Sequence, residues 1–194
     1  MPSTHSTADP FTRRLPRTEA ALAFAHERHA GQRREVDDAP FVAHPVEVAQ
    51  LLDEADYSDH VVAAGVLHDV LESTDTEADE IAARFGSQVA MLVSAVTENP
   101  SIDDPAERKA ALRRQVSHAG DGAAAVFAAD KVSKAREMLL RASRGQLDAE
   151  RDLPKIAHYE ESLAMLTELM PGHEFVERLR MELEAVHALP GWGL

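Results

Sequence analysis

Three titratable side chains fall on one patch of an otherwise apolar helix. His68 and Asp69 stand inside VVAAGVLHDVLES (61–73), and Glu72 follows one turn later on the same face. Burying an imidazole and a carboxylate costs several kcal/mol unless they are paired or hold a metal. The pattern therefore points to an ion-paired or metal-ligating cluster. The competing reading is a capped helix end, with Asp69 and Glu72 in water and His68 an ordinary core histidine. A second acid, Asp130, follows the small and apolar run AAAVFAA (123–129), where a carboxylate needs a partner or an outward turn of the helix. His44, just ahead of Pro45 at a helix start, carries no signal alone.

Composition narrows what this chemistry can be. The chain of 194 residues has no cysteine and 10 histidines. Disulfides, thiolate nucleophiles, zinc ribbons and cysteine-held iron–sulfur clusters are excluded. Any metal or catalytic base must come from histidine and carboxylates. With 20 Lys+Arg against 34 Asp+Glu the net charge is −14, which argues against a polynucleotide partner. No apolar run approaches the ~18 residues that span a bilayer. The start, MPSTHSTADPFTRRLPR, lacks the apolar centre of a secretory signal, so a cytoplasmic location and no membrane partner are expected. Neither a glycine-rich phosphate loop nor a Ser-His-Asp order appears.

The elements that must position these residues read as helices throughout. Residues 1–16 are polar, hold three prolines and read as a flexible tail, with a single domain over 17–194. Thr18 is expected to cap a helix ending at Gly31. Residues 32–43 read as a loop, and Pro45 opens a helix to about Glu54. Ser58 is expected to cap one continuous helix through Ser73, central because it is apolar all round. Thr76 and Asp79 suggest a capping box for a short helix to Gly86. Helices over 87–98, 105–119, 123–145, 153–170 and 174–189 complete an all-α bundle of about eight or nine. No strand pattern appears.

In this arrangement the chain resembles the HD-domain metal-dependent phosphohydrolases. Within them it is most similar to the guanosine-tetraphosphate hydrolase domains of RelA/SpoT proteins and the small alarmone hydrolases. The resemblance rests on HAGQRR (29–34), APFVAHPVEVAQLL (39–52), AAGVLHDVLESTDTEADEIAARFGSQVAMLVSAVTE (63–98) and AADKVSKAREM (128–138), and spans about residues 18–170. It implies one divalent metal ion held by His44, His68, Asp69 and Asp130. That nitrogen and oxygen set suits Mn²⁺, with Fe²⁺ or Zn²⁺ as alternatives. It further implies Glu72 and Ser73 at the catalytic position and Arg33 and Arg34 on the nucleotide. Phe41 stands where the family often has Tyr, to stack on a base or to pack, and Tyr159 is a further candidate for the nucleotide pocket.

Two positions depart from the family. Its hydrolases usually read His-Asp-x-x-Glu-Asp, whereas Ser73 follows Glu72 here; serine hydrogen-bonds but takes no proton near neutral pH. The family's nucleotide-contacting Asn is Lys134, a compact cation. Both changes favour a more anionic or differently placed phosphate. Between Lys131 and Arg144 five basic residues face one acid, a net of +4 that draws phosphates toward the site. Arg141 and Arg144 also complement a helix C-terminus. His29 is expected to pack against the site loop; His60, His118, His158, His173 and His187 receive no role. The expected partner is a small anionic nucleotide, and nothing in the sequence bears on oligomeric state. The expected reaction is removal of pyrophosphate from guanosine tetra- or pentaphosphate. The alternatives are the same chemistry on another phosphorylated metabolite, such as NADPH or a nucleoside monophosphate, and a degenerate, non-hydrolysing binding domain.

Overall fold

The structure, a computed structural model, describes Phe11 and residues 14–189. Most of the expected tail lies outside the described residues. Within it, Phe11 and Leu15 are buried in the core and Pro16 opens the first helix. Among the described residues the chain is all-α: α1 (Pro16–Arg28), α2 (Ala43–Glu54), α3 (Asp59–Leu67), α4 (Val70–Ser73), α5 (Ala78–Phe85), α6 (Ser87–Val96), α7 (Pro105–His118), α8 (Asp121–Ser143), α9 (Ala149–Leu169) and α10 (Glu174–His187). Nine of these have eight or more residues, and α4 is a single turn. No helix among the described residues is long and apolar enough to cross a membrane.

Two helices carry the core. Every residue of α3 from Val61 to Leu67 is buried, as its apolar circumference requires. In α8 the run from Ala123 to Ser133 is buried without interruption. α3 packs on α1, α2, α6 and α8, while α8 also receives α2, α9 and α10. Gly65 sets the closeness of α3 to α2: a Cβ there would lie 2.5 Å from Leu52 Cδ1. That approach brings the end of α3 beside the start of α2, where His44 stands.

Several helix boundaries differ from the sequence expectation, each for a local reason. The helix expected to run unbroken from Asp59 to Ser73 stops at Leu67 and resumes at Val70. His68 Nδ1 bonds the Gly65 carbonyl at 2.8 Å, the acceptor that a continuing helix would give to the Asp69 amide. Thr18 does not cap α1; it lies inside the helix with its hydroxyl 2.8 Å from Asp59 Oδ1. Ser58 holds the N-cap position of α3, but its hydroxyl bonds His60 Nδ1 instead of the helix backbone. The Thr76–Asp79 box does not form, because Thr76 is engaged by Thr74 and α5 begins at Ala78. α9 begins at Ala149, capped by Asp148, which accepts the Arg151 amide at 2.9 Å. Pro154 therefore sits within α9 rather than at its start.

Candidate metal centre

Four side chains from three separate parts of the chain meet at one buried point. His44 comes from the first turn of α2, where Pro45 fits the helix start. His68 and Asp69 come from the break between α3 and α4, and Asp130 from the buried middle of α8. His44 Nε2 lies 3.2 Å from His68 Nε2 and 3.1 Å from Asp130 Oδ1. Asp69 Oδ2 is 3.3 Å from His68 Nε2 and 3.5 Å from His44 Nε2. His68 Nε2 and Asp130 Oδ1 are 3.4 Å apart. None of the four residues is more than 7% exposed.

The ring protons can be assigned from their partners. The Gly65 carbonyl only accepts, so His68 Nδ1 carries the proton that it donates. His44 Nδ1 lies 2.9 Å from Ser133 Oγ, and that hydroxyl donates to Glu47 Oε2 at 2.7 Å. With its own proton committed to a carboxylate, Ser133 Oγ accepts from His44 Nδ1. In the neutral form each ring presents a bare Nε2 to the other and to two carboxylate oxygens. Lone pairs so arranged repel unless a cation stands among them. A nitrogen and oxygen donor set of this kind fits a divalent ion of the Mn²⁺, Fe²⁺ or Zn²⁺ type. His44, His68 and Asp130 each offer an atom within 4.8 Å of the others.

The electrostatics agree with a cation-seeking centre. Burial disfavours charge on His68, yet Asp69 and Asp130 outweigh it and raise its pKa. Burial likewise opposes ionisation of Asp69, but His68, Lys134 and His44 hold its carboxyl down at about 2. Asp130 is held well below the usual carboxylate range against its burial, by Lys131 and Lys134. Their ammonium nitrogens lie 2.6 Å from Oδ2 and 3.0 Å from Oδ1 respectively. Lys131 is buried over the Phe127 ring, and burial lowers its pKa against the pull of Asp130. Burial also works against the Lys134 charge, but Asp130 and Asp69 keep it well above an ordinary lysine.

The centre opens into a cavity of about 530 Å³ whose wall includes every candidate named from the sequence. Glu72 and Ser73 reach it from α4. Glu72 is solvent-exposed, and partial desolvation pushes its carboxyl up, although Oε1 accepts the Glu98 amide at 2.5 Å. The Ser73 carbonyl accepts from Gln32 Nε2, which ties this turn to the loop before α2. From that loop come Arg33, which donates to the Asp38 carbonyl, and Arg34, which is paired with Asp37. Phe41 is half-buried, its ring 4.8 Å from that of His29, which packs beside it. Lys134 lines the same wall, and Tyr159 is buried beside Lys131.

Other lining residues escaped the sequence reading. Lys109 and Lys155, given no role from the sequence, reach the cavity from α7 and α9, which both pack on α8. His158 also lines the cavity and accepts from Arg113 at 2.6 Å. Burial together with Lys131, Lys109 and Arg113 pushes it down to about 2, so it is a neutral ring. Ser133 shares the inner face of α8 with Asp130, a spacing of three that was available in the sequence. Arg141 is buried and grips both oxygens of Asp152, at 2.8 and 2.9 Å, and Arg144 donates to the Val36 carbonyl. Both therefore fasten elements together as well as standing at the C-terminal end of α8, where dipole complementarity puts them.

A family model described as HD domain matches residues 21–156. The chain is similar to the guanosine-3′,5′-bis(diphosphate) 3′-pyrophosphohydrolase MESH1 of Mus musculus, 38% identical over 62% of this chain and 68% of the relative. The enzyme of the same name from Homo sapiens is 40% identical over 61% of this chain and 67% of its own length. Among solved structures, a metazoan ortholog of SpoT that hydrolyses ppGpp superposes with a TM-score of 0.75 at 24% identity, covering 93% of this chain and 99% of the other. That likeness speaks to the fold.

Proposed function

Because the chain belongs to the HD domain family, we propose that it is a metal-dependent phosphohydrolase that removes pyrophosphate from guanosine 3′,5′-bis(diphosphate) or its pentaphosphate analogue. One observation carries this reading: two imidazole Nε2 atoms and two carboxylates meet at a buried point that opens into a cavity lined with lysine and arginine. The MESH1 relatives, whose names state this activity, support the choice of substrate. A free nucleotide substrate accords with a cytoplasmic location.

His44, His68, Asp69 and Asp130 would hold one divalent ion, Mn²⁺ in this proposal. Such an ion supplies Lewis-acid polarisation of a phosphoryl oxygen and acidifies water. The chain's own residues do the rest. Glu72, exposed on α4 and with its carboxyl raised by partial desolvation, exchanges a proton with the attacking water or the departing oxygen. Ser73 orients by hydrogen bonding and takes no proton. Lys134, Arg33 and, once released from Asp37, Arg34 bind phosphate oxygens and fix the scissile bond at the centre. Phe41 and Tyr159 supply apolar and aromatic surface for the base.

A second reading keeps the reaction and changes the substrate to another phosphorylated nucleotide, such as NADPH. The departures from the family pattern at Ser73 and Lys134 motivate it, since both make the site wall more positive, with the Lys134 ammonium beside Asp130. A panel of phosphorylated compounds assayed with Mn²⁺ decides between them. Preferential release of pyrophosphate from guanosine tetraphosphate supports the first reading; preferential release of inorganic phosphate from another nucleotide replaces it.

A further inference from the structure

We infer that Ser133 and Glu47 are positioning residues for His44, forming a one-way hydrogen-bond relay that presents its Nε2 to the metal; the inference rests on the metal reading above. Ser133 is 2% exposed and sits in the middle of α8. A serine there commonly returns its hydroxyl proton to a carbonyl of its own helix. This one instead donates across to Glu47 Oε2 on α2 at 2.7 Å. Carboxylates only accept, so the direction is fixed. Glu47 accepts from Ser133, and Ser133 accepts from His44 Nδ1 at 2.9 Å. The relay therefore selects the tautomer with a bare Nε2 and holds the ring in place.

Glu47 is itself held. Its Oε1 lies 3.3 Å from Arg136 Nη1, and the Nε of the same arginine donates to Glu182 on α10 at 3.0 Å. A continuous chain thus runs from α10 through Arg136, Glu47 and Ser133 to a proposed metal ligand. His68 needs no such chain, because a backbone carbonyl fixes its tautomer. The two histidines are oriented by different means, and only His44 depends on side chains that substitution can remove. Partners of this kind orient ligands and strengthen their donor atoms, and losing one typically weakens metal binding 10- to 100-fold.

The test uses the full chain, titrated with Mn²⁺ in a calorimeter. Ser133→Ala is expected to weaken Mn²⁺ binding about 10- to 100-fold and Glu47→Ala about tenfold. Glu47→Gln, which still accepts from the hydroxyl, is expected to stay closer to the parent than Glu47→Ala. Glu47 is partly exposed, so the melting temperature of its metal-free variants should match that of the parent, which separates positioning from a loss of packing. Nitrogen-15 shifts of the histidine rings give an independent readout: the relay requires His44 protonated at Nδ1 in the metal-free parent. If Ser133→Ala fails to fold, Glu47→Ala and the ring shifts still decide. Equal Mn²⁺ affinity in the parent and Glu47→Ala, or a His44 protonated at Nε2 alone, overturns the relay. A parent that binds no Mn²⁺ overturns the metal reading and the relay together.

Discussion

Replacing Lys134 should separate two roles that this residue combines. Its ammonium lies 3.0 Å from Asp130 Oδ1, the oxygen that also faces both histidines. At 3.0 Å the attraction is about 1.4 kcal/mol at the dielectric of water and about 5.5 kcal/mol at an effective dielectric of 20. The Lys134 side chain is 35% exposed, so solvent screening places the value toward the lower figure. Lys134→Met removes a cation that competes for Asp130. The expected result is Mn²⁺ binding tightened by about tenfold, the equivalent of about 1.4 kcal/mol. The same variant loses a phosphate contact, so KM for the nucleotide should rise while the metal requirement falls. Calorimetric titration of Mn²⁺ and steady-state kinetics at saturating metal measure the two effects separately. Weaker Mn²⁺ binding in Lys134→Met, or an unchanged KM, would refute the assignment of Lys134 as both competitor and phosphate contact.

Four further expectations concern other parts of the fold and the site. Arg141→Met removes the bidentate partner of the buried Asp152 carboxylate, which keeps the Asp148 amide and the Arg151 guanidinium, and should cost about 1–3 kcal/mol by chemical denaturation. Asp152 resists burial through Arg141 and the Asp148 amide and so has a depressed pKa. Its contribution is therefore full above the unfolded value near 3.8 and is lost as pH falls through the lower folded value; an acid denaturation curve for Asp152→Asn should lack that part of the slope. Gly65→Ala forces Leu52 aside in the α2–α3 contact and should lower stability by about 1–3 kcal/mol. Finally, Ser73→Asp restores the family's acidic pair: an active parent should change rate only modestly, whereas large activity appearing from a silent parent would mark the chain as a binding domain.

Much of the centre was legible because the residues are out of place. An imidazole and two carboxylates in apolar helices demand a shared solution, and His68, Asp69 and Asp130 announced themselves that way. His44 did not, since a histidine before a proline is ordinary; the family resemblance brought it in. The all-α class followed from apolar spacing and the lack of strand patterns. What the sequence hid were choices settled by tertiary partners. Thr18 has the chemistry of a cap but finds Asp59 across the α1–α3 contact. Thr76 likewise finds Thr74. The break at His68–Asp69 depends on a ring nitrogen taking a backbone carbonyl, which no periodicity encodes. Lys109, Lys155 and His158 join the cavity only when α7 and α9 close on α8. Arg141 and Arg144 lie where dipole complementarity would put them, yet Asp152 and the Val36 carbonyl claim them.

In the proposed reaction, phosphohydrolysis requires one divalent ion at His44, His68, Asp69 and Asp130. The most direct test of this requirement is pyrophosphate release from guanosine tetraphosphate by protein stripped with a chelator and then titrated with Mn²⁺. Activity should vanish on stripping, return with one equivalent of Mn²⁺ in the parent and fail to return in Asp130→Ala. Release that persists in stripped protein, or returns equally in Asp130→Ala, would contradict it.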